Sequence, residues 1–383
     1  VVQNAIGGAD NFVLMAVPFF ILAGEFMNAG GLSKRIVEMA GAFVGHLRGG
    51  LGYVAIFAAI LLASLSGSAV ADTAALAAIL VPMMRQAGYD PERACGLMAA
   101  GGIIAPVIPP SIGFLLFGVV ANISITRLFL AGIMPGVMMG GSLVLAWWLV
   151  ARRASVQVAP RMPWPERMAL LGKGVWALML PVIIIGGLKF GIFTPTEAAV
   201  VAAMYALFVG AAIYRELTLA AIYHCFLVTA RTTAVVLLLA ALAMVASYMI
   251  TIADIPGQVG GWLGVLGDSP KLMTAAMMLV VFLAGMVLDF IPIVLIVTPV
   301  FLPIIEQAGI DPIYFGVIFI INCSLGMITP PVGVVLNVVS SIGKISLAQA
   351  ARGVLPFLAA ELLVLVALVL FPKLVTVPAS WWH

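Results

Sequence analysis

Charge is what this sequence has least of. Only 9% of its 383 residues are Asp, Glu, Lys or Arg, against about 25% in soluble domains, which excludes an ordinary water-soluble fold. Cysteine is as sparse: Cys95, Cys225 and Cys323 stand far apart in apolar settings, with neither a disulfide framework nor metal-ligand spacing. His46, His224 and His383 fall in interfacial or terminal segments. No Ser/His/Asp, Cys/His or paired-carboxylate constellation converges, which argues against an enzyme. No G-x-x-x-x-G-K-S/T loop exists to cradle a phosphate, so the chain does not hydrolyse ATP. Short strands of alternating polarity are missing too, and with them a β-barrel. The net charge of +3 argues for no partner by itself, and nucleic acid is not expected.

What is present is apolar: 64% of the chain. Runs long enough to cross a bilayer recur, among them Leu178–Phe190 with its flanks, Ala198–Tyr214, Ala234–Ile250 and Val354–Phe371. The fold class is therefore an all-α polytopic membrane protein. The chain starts at Val1 and enters an apolar helix within about a dozen residues; it is expected to lack an upstream membrane segment.

One stretch occurs twice. Val81-Pro-Met-Met-Arg-Gln-Ala-Gly-Tyr-Asp-Pro91 leads to Pro109-Pro110, and Leu302-Pro-Ile-Ile-Glu-Gln-Ala-Gly-Ile-Asp-Pro312 leads to Pro330-Pro331. The offset of 221 residues holds without a gap from Pro82/Pro303 to Pro135/Pro356. The chain is a duplicated unit, and each copy carries a prolyl interruption inside an apolar segment.

The pattern predicts a membrane helix over Asn11–Met27 and an interfacial amphipathic arm over Leu32–His46. The apolar arms Gly49–Ala63 and Ala74–Met84 flank a polar cluster, Ser64–Thr73. Two short arms around a Ser/Gly tip read as a re-entrant hairpin, whose irregular backbone must be buried in protein or line a wet cavity. Ala94–Ala105 and Ser111–Ala121 read as half-helices parted at Pro106, Pro109 and Pro110, because proline lacks the amide donor and blocks the preceding turn. Gly132–Val150 crosses back, and Ala151–Lys173 is the long polar loop. Val175–Lys189, Pro195–Tyr214 and Ala230–Met249 are further spans, and Ile255–Leu266 is a second arm. Leu272–Leu288 and Ile293–Pro303 flank a second tip at Asp289–Pro292. Pro312–Met327 and Pro331–Ser341 form the second broken helix, and Val354–Phe371 is the last span. The expected units are 1–48 (frame helix and arm), 49–131 (first transport repeat), 132–270 (frame helices and second arm), 271–353 (second transport repeat) and 354–383 (last helix).

Five crossings separate the copies, an odd number, so the second is expected to be inverted. Positive charge agrees. With the polar loop in the cytoplasm, fourteen of the 18 Lys and Arg residues fall on that side, leaving Arg127, Lys189, Lys271 and Lys373 outside. Arg85 is cytoplasmic, while its counterpart is Glu306. Inverted repeats with discontinuous helices point to a secondary transporter with a site at mid-depth.

Helix interruptions at that depth expose carbonyls, which suit Na⁺, and half-helix N-termini, which suit anions. The first candidate site uses Ser64, Ser66, Gly67 and Ser68 with the backbone at Ile108 and Pro109; the second uses Gly285, Asp289, Gly326 and Thr329. An intramembrane carboxylate is costly enough to suggest function, yet Asp72 and Asp289 would also serve as helix caps, and the serines as close-packing residues. Glu25 and Glu197 lie near helix ends, where interfacial placement is the simpler reading. Asn322 and Asn337 flank the second interruption and suit either role. No arginine lies in the core, so helix N-termini and bound sodium must supply the positive field for an anion.

Four motifs carry a resemblance: Val17-Pro-Phe-Phe-Ile-Leu-Ala-Gly-Glu25, Ser64-Leu-Ser-Gly-Ser-Ala-Val-Ala-Asp72-Thr73, Gly101-Gly-Ile-Ile-Ala-Pro-Val-Ile-Pro-Pro-Ser111 and Gly326-Met-Ile-Thr-Pro-Pro-Val-Gly333. In this order, over essentially the whole chain, they resemble the large membrane subunit of tripartite ATP-independent periplasmic (TRAP) transporters, nearest the sugar-acid branch. The resemblance implies an elevator-type importer of dicarboxylates, sialic acid or sugar acids in the bacterial inner membrane. Na⁺ would be the coupling ion, with no other cofactor. Two partners are implied, a small TRAP membrane subunit and a periplasmic substrate-binding protein. The ion and substrate sites would lie at the tips and prolyl interruptions, the substrate meeting Asp72, Thr73, Pro110, Ser111, Pro330, Pro331 and Asn337. The alternative is a stand-alone sodium/anion symporter needing no binding protein.

Overall fold

The computed structural model describes residues 2–152, 160–264 and 269–380. Within them every regular element is helical. The first set comprises α1 (Val2–Ala9), α2 (Ala16–Ala29), α3 (Leu32–Val44), α4 (Gly50–Ser66), α5 (Ala69–Gln86), α6 (Pro91–Gly102), α7 (Ile112–Ala121) and α8 (Ile125–Ala151). Then come α9 (Trp164–Lys189), α10 (Pro195–Phe208), α11 (Leu219–Ile252) and α12 (Ile255–Gly264). The second set is α13 (Pro270–Gly285), α14 (Phe290–Gln307), α15 (Pro312–Gly326), α16 (Val334–Gly343), α17 (Leu347–Leu370) and α18 (Lys373–Ser380). Seven helical segments among the described residues are long and apolar enough to cross a membrane.

The duplication is visible in the helix ends. α5 and α14 stop at Gln86 and Gln307, 221 residues apart, and α6 and α15 start at Pro91 and Pro312. Asp90 and Asp311 cap α6 and α15 through their side chains, with proline as the first helical residue, where its missing N–H costs nothing. Both interruptions contain a cis X–Pro bond, Pro109-Pro110 and Pro330-Pro331.

Several boundaries differ from those expected. The first tip is only Gly67 and Ser68, not the whole Ser64–Thr73 cluster. Ser64 stays helical because its hydroxyl donates to the Leu61 carbonyl at 2.6 Å, a local bond that satisfies the side chain without breaking the helix. Asp72 lies in the first turn of α5, where a carboxylate is favoured by the helix dipole, and Thr73 follows it within the helix. At the second tip Pro292 is already within α14. The second interruption runs from Met327 to Gly333, longer than expected at both ends. α8, α9 and α11 begin seven to eleven residues before their apolar runs. Residues 164–173, expected as loop, are helical; the rest of that loop lies partly outside the described residues, as does the end of the second arm.

Two packing groups emerge. α4–α8 pack with one another and with α15–α17, while α13 and α14 join through α15 and α7. α2 packs on α10 and α11, and α3 on α9. α3 also packs on α4, and α11 on α14, which joins the groups. α8 and α17 pack on each other and on the short helices of the two copies. The seam between α6 and α17 is tight: a Cβ on Gly96 would come within 2.3 Å of the Gly353 carbonyl carbon. The Arg93 guanidinium closes it by donating to the Arg352 and Gly353 carbonyls at 3.0 and 3.1 Å.

Candidate functional site

The first tip is built from the residues its backbone requires. Gly67 is left-handed, with φ 64°, and its missing Cβ would stand 2.5 Å from the Pro110 carbonyl oxygen. Glycine is needed on both counts. The tip thereby rests directly on the first prolyl interruption. Ser68 caps α5 by accepting from the Ala71 amide at 3.4 Å. Ser66 accepts from the Ser68 amide at 3.1 Å and donates to Asp72 Oδ1 at 2.5 Å. Asp72 is 2% exposed, and its Oδ2 has no hydrogen-bond partner; neither has Oγ1 of the fully buried Thr73. Bare buried oxygens are costly.

Residues 103–111 of the first interruption are buried throughout. Ser111 donates to the Pro106 carbonyl and accepts from the Phe114 amide at 3.1 Å, which caps α7. Ile108 sends its side chain toward Gly136 of α8.

The second tip and interruption meet differently. α13 and α15 cross in backbone contact: a Cβ on Gly326 would lie 2.6 Å from the Gly285 Cα. The Val332 amide donates to the Met286 carbonyl at 3.3 Å, tying interruption to tip. Thr329 donates to the Leu325 carbonyl at 2.7 Å. Asp289 caps α14 by accepting from the Phe290 amide at 2.8 Å and is exposed. Pro330, Pro331 and Asn337 are also exposed, and Asn337 donates to the Val332 carbonyl at 2.9 Å.

Both tips open on one cavity of about 450 Å³. Ser66, Gly67 and Ser68 line it from the first tip and Asp289, Phe290 and Ile291 from the second; Pro106 and Met327 come from the interruptions. α2 contributes Ile21, Gly24 and Glu25 to the lining, and α11 contributes Thr232 and Val236. Ser68 and Asp289 are 221 residues apart, so equivalent capping positions of the two copies face the same space. Of the expected site residues, Ser66, Gly67, Ser68 and Asp289 line the cavity. Asp72, Thr73, Pro110 and Ser111 lie behind the first tip, and Gly285, Gly326 and Thr329 behind the second. Ser64, Ile108 and Pro109 are not among the lining residues, nor are Pro330, Pro331 and Asn337.

Glu25 departs from its simpler reading: it lines the cavity rather than sitting at an interface, within electrostatic reach of His224. Glu197 does lie at a helix start, in a capping box with Thr194. Thr232 gave no signal in an apolar helix. Asn322, weighed as a site residue, is fully buried and donates to the Met278 carbonyl at 2.5 Å. The lining holds hydroxyls, carboxylates and helix N-termini, but no Lys or Arg and no sulfur ligand apart from the Met327 thioether. No group of three or more His, Cys, Asp and Glu suited to a metal occurs among the described residues.

Residues 1–374 match the family described as tripartite ATP-independent periplasmic transporter, DctM component. The chain is 54% identical over 379 residues to the 2,3-diketo-L-gulonate TRAP transporter large permease protein YiaN of Escherichia coli K12, covering 99% of this chain and 89% of that protein. It is 38% identical to the sialic acid TRAP transporter large permease protein SiaM of Vibrio cholerae, covering 97% and 87%. With the C4-dicarboxylate TRAP transporter large permease protein DctM of Pseudomonas aeruginosa it shares 36% identity, again over 97% and 87%. The crystal structure of the YdaH transporter of Alcanivorax borkumensis superposes with a TM-score of 0.69 at 18% identity, covering 97% of this chain and 87% of that one. That likeness is one of fold.

Proposed function

Because the chain belongs to the DctM component family of tripartite ATP-independent periplasmic transporters, we propose that it is the large subunit of a sodium-coupled importer of a small organic acid. It sits in the bacterial inner membrane, takes cargo from a periplasmic binding protein and works beside a small membrane subunit. The cargo class is that of its relatives, whose names specify a keto sugar acid, a sialic acid and C4-dicarboxylates.

The observation that carries this reading is the single cavity shared by both tips against α2 and α11. The halves are antiparallel, with re-entrant hairpins α4–α5 and α13–α14. Each tip places a helix N-terminus at the cavity, α5 behind Ser68 and α14 behind Asp289, and such ends attract anions. Ser66 Oγ at the first tip and the open Asp72 Oδ2 behind it are hard donors suited to Na⁺. The close Gly285–Gly326 crossing supplies backbone oxygens for a second ion. Alternating access is an elevator stroke. The moving unit is α4–α8 with α13–α18, and so includes α8, which composition alone had grouped with the frame. The frame is α1–α3 with α9–α12, and Glu25 and Thr232 form its wall.

The test is uptake of radiolabelled sugar acid, sialic acid and C4-dicarboxylate into proteoliposomes holding the large and small subunits. An inward sodium gradient and the cognate binding protein are added or omitted. Uptake requiring both is expected. Uptake that ignores sodium overturns the coupling. Uptake without binding protein returns the chain to a stand-alone sodium/anion symporter.

A further inference from the structure

A second polar hollow, of about 390 Å³, lies well away from the tips, where α3, α9 and the turn after α10 converge. Arg35 is locked in its wall. It pairs with Glu216 at 2.8 Å, donates to the Gly31 carbonyl at 2.9 Å and lies 3.7 Å over the Tyr214 ring. The hydroxyl of Tyr214 donates to the Lys173 carbonyl at 2.6 Å, fastening that turn to α9. Lys34 and Lys173 also line the hollow, and both are exposed. The ion pairs among the described residues are Arg35–Glu216 and Arg352–Glu92, so neither lysine ammonium is matched by a carboxylate. Counting Glu38, which also lines the hollow, three cationic side chains face two anionic ones. One positive charge is left over.

Below the hollow, α9 turns apolar. Trp176, Met179 and Val182, spaced three residues apart on one face, are exposed. Tryptophan and tyrosine beside lysine mark the headgroup level of a membrane. A surplus of one positive charge above an exposed apolar rail is complementary to a phosphodiester with acyl chains.

We propose that this hollow is a binding site for one anionic phospholipid, its phosphodiester held by Lys34 and Lys173 and a chain lying along Trp176, Met179 and Val182. α3, which lines the hollow, also packs on α4, so the lipid would touch a helix that abuts the first hairpin. Its occupancy sets how readily that hairpin moves, and the effect on transport rests on the function proposed above. Lipid binding itself does not.

The test uses the full chain, with and without its small subunit, in nanodiscs of phosphatidylethanolamine, with or without phosphatidylglycerol. Native mass spectrometry counts retained lipid, with the double variant Lys34→Gln, Lys173→Gln as the comparison. One phosphatidylglycerol retained by the wild type is expected, with affinity in the variant lower by roughly thirtyfold, from about a factor of five per lysine at a membrane surface. Proteoliposome uptake should rise with phosphatidylglycerol in the wild type and lose that dependence in the variant. Equal retention by both proteins overturns the site. So does displacement of the lipid by millimolar inorganic phosphate, which would make it a soluble-anion site. Loss of the lipid only when the small subunit is bound would make the hollow a protein interface and overturn the proposal as well. Retention without any change in uptake keeps the site and removes its effect on the hairpin.

Discussion

The two copies share a backbone plan and differ in what they do with polarity. In the first, the interruption is buried, and the tip is knitted internally through Ser66, Asp72 and the Gly67–Pro110 contact. In the second, Pro330, Pro331 and Asn337 are exposed, and a carboxylate stands where the first copy has a hydroxyl. The close crossing differs as well. Gly285 and Gly326 meet in the second copy, while Ser64 and Ala105 occupy the equivalent positions in the first. Duplication preserved the capping and the prolines, which set the geometry. The tips and crossings diverged, and these decide what each half can hold. The first tip is closed and hydrogen-bonded within itself, and the second is charged and exposed.

That contrast can be broken at its strongest point. Asp289→Asn keeps the cap acceptor but removes the charge, and uptake is expected to fall about tenfold to a hundredfold, the range for a hydrogen bond to a charged group. Membrane abundance should not change. Normal uptake would leave Asp289 a cap and nothing more, equivalent to Ser68. Next is Gly67→Val, which forces a β-branched residue into a left-handed position at a cost of at least about 1–2 kcal/mol before the clash with Pro110 is counted. A lower thermal midpoint with little uptake is expected. Leu288→Gly, at the equivalent position of the second tip, should be far milder, and equal losses would erase the distinction between tips.

Gly326→Ala tests the crossing. A methyl group 2.6 Å from the Gly285 Cα should overpack it by about 1–3 kcal/mol, read as a drop in thermal midpoint. An unchanged midpoint would show that α13 and α15 separate freely. The smallest effect is expected for Ser66→Ala combined with Ser68→Ala. Losing the Ser66 and Ser68 hydroxyls, while the backbone oxygens of the tip stay in place, should raise the sodium concentration for half-maximal uptake several-fold. An unaltered sodium curve would remove the first tip from ion binding.

Much of this architecture was legible because proline, glycine and the 221-residue offset mark where helices must stop. The interruptions at Pro109-Pro110 and Pro330-Pro331 and the tips at Gly67 and Asp289 were located that way. Helix starts were missed wherever helical hydrogen bonding outruns the apolar window. α9 continues through Arg167 and Lys173, and α11 through His224, because backbone pairing does not require apolar side chains. Glu25 shows a second limit: position along a helix was readable, but which face points to the cavity depends on how α2 packs against its neighbours. The same applies to α8, whose apolar composition suits either group and whose partners are set by tertiary contact.

The seam at Gly96 and Gly353, fastened by Arg93, has a last consequence. Each ancestral half lends a helix to the other's interior, so the duplication is laced crosswise rather than placed side by side. Cutting the gene between the copies would leave two fragments, each with a naked glycine groove and no matching helix to fill it.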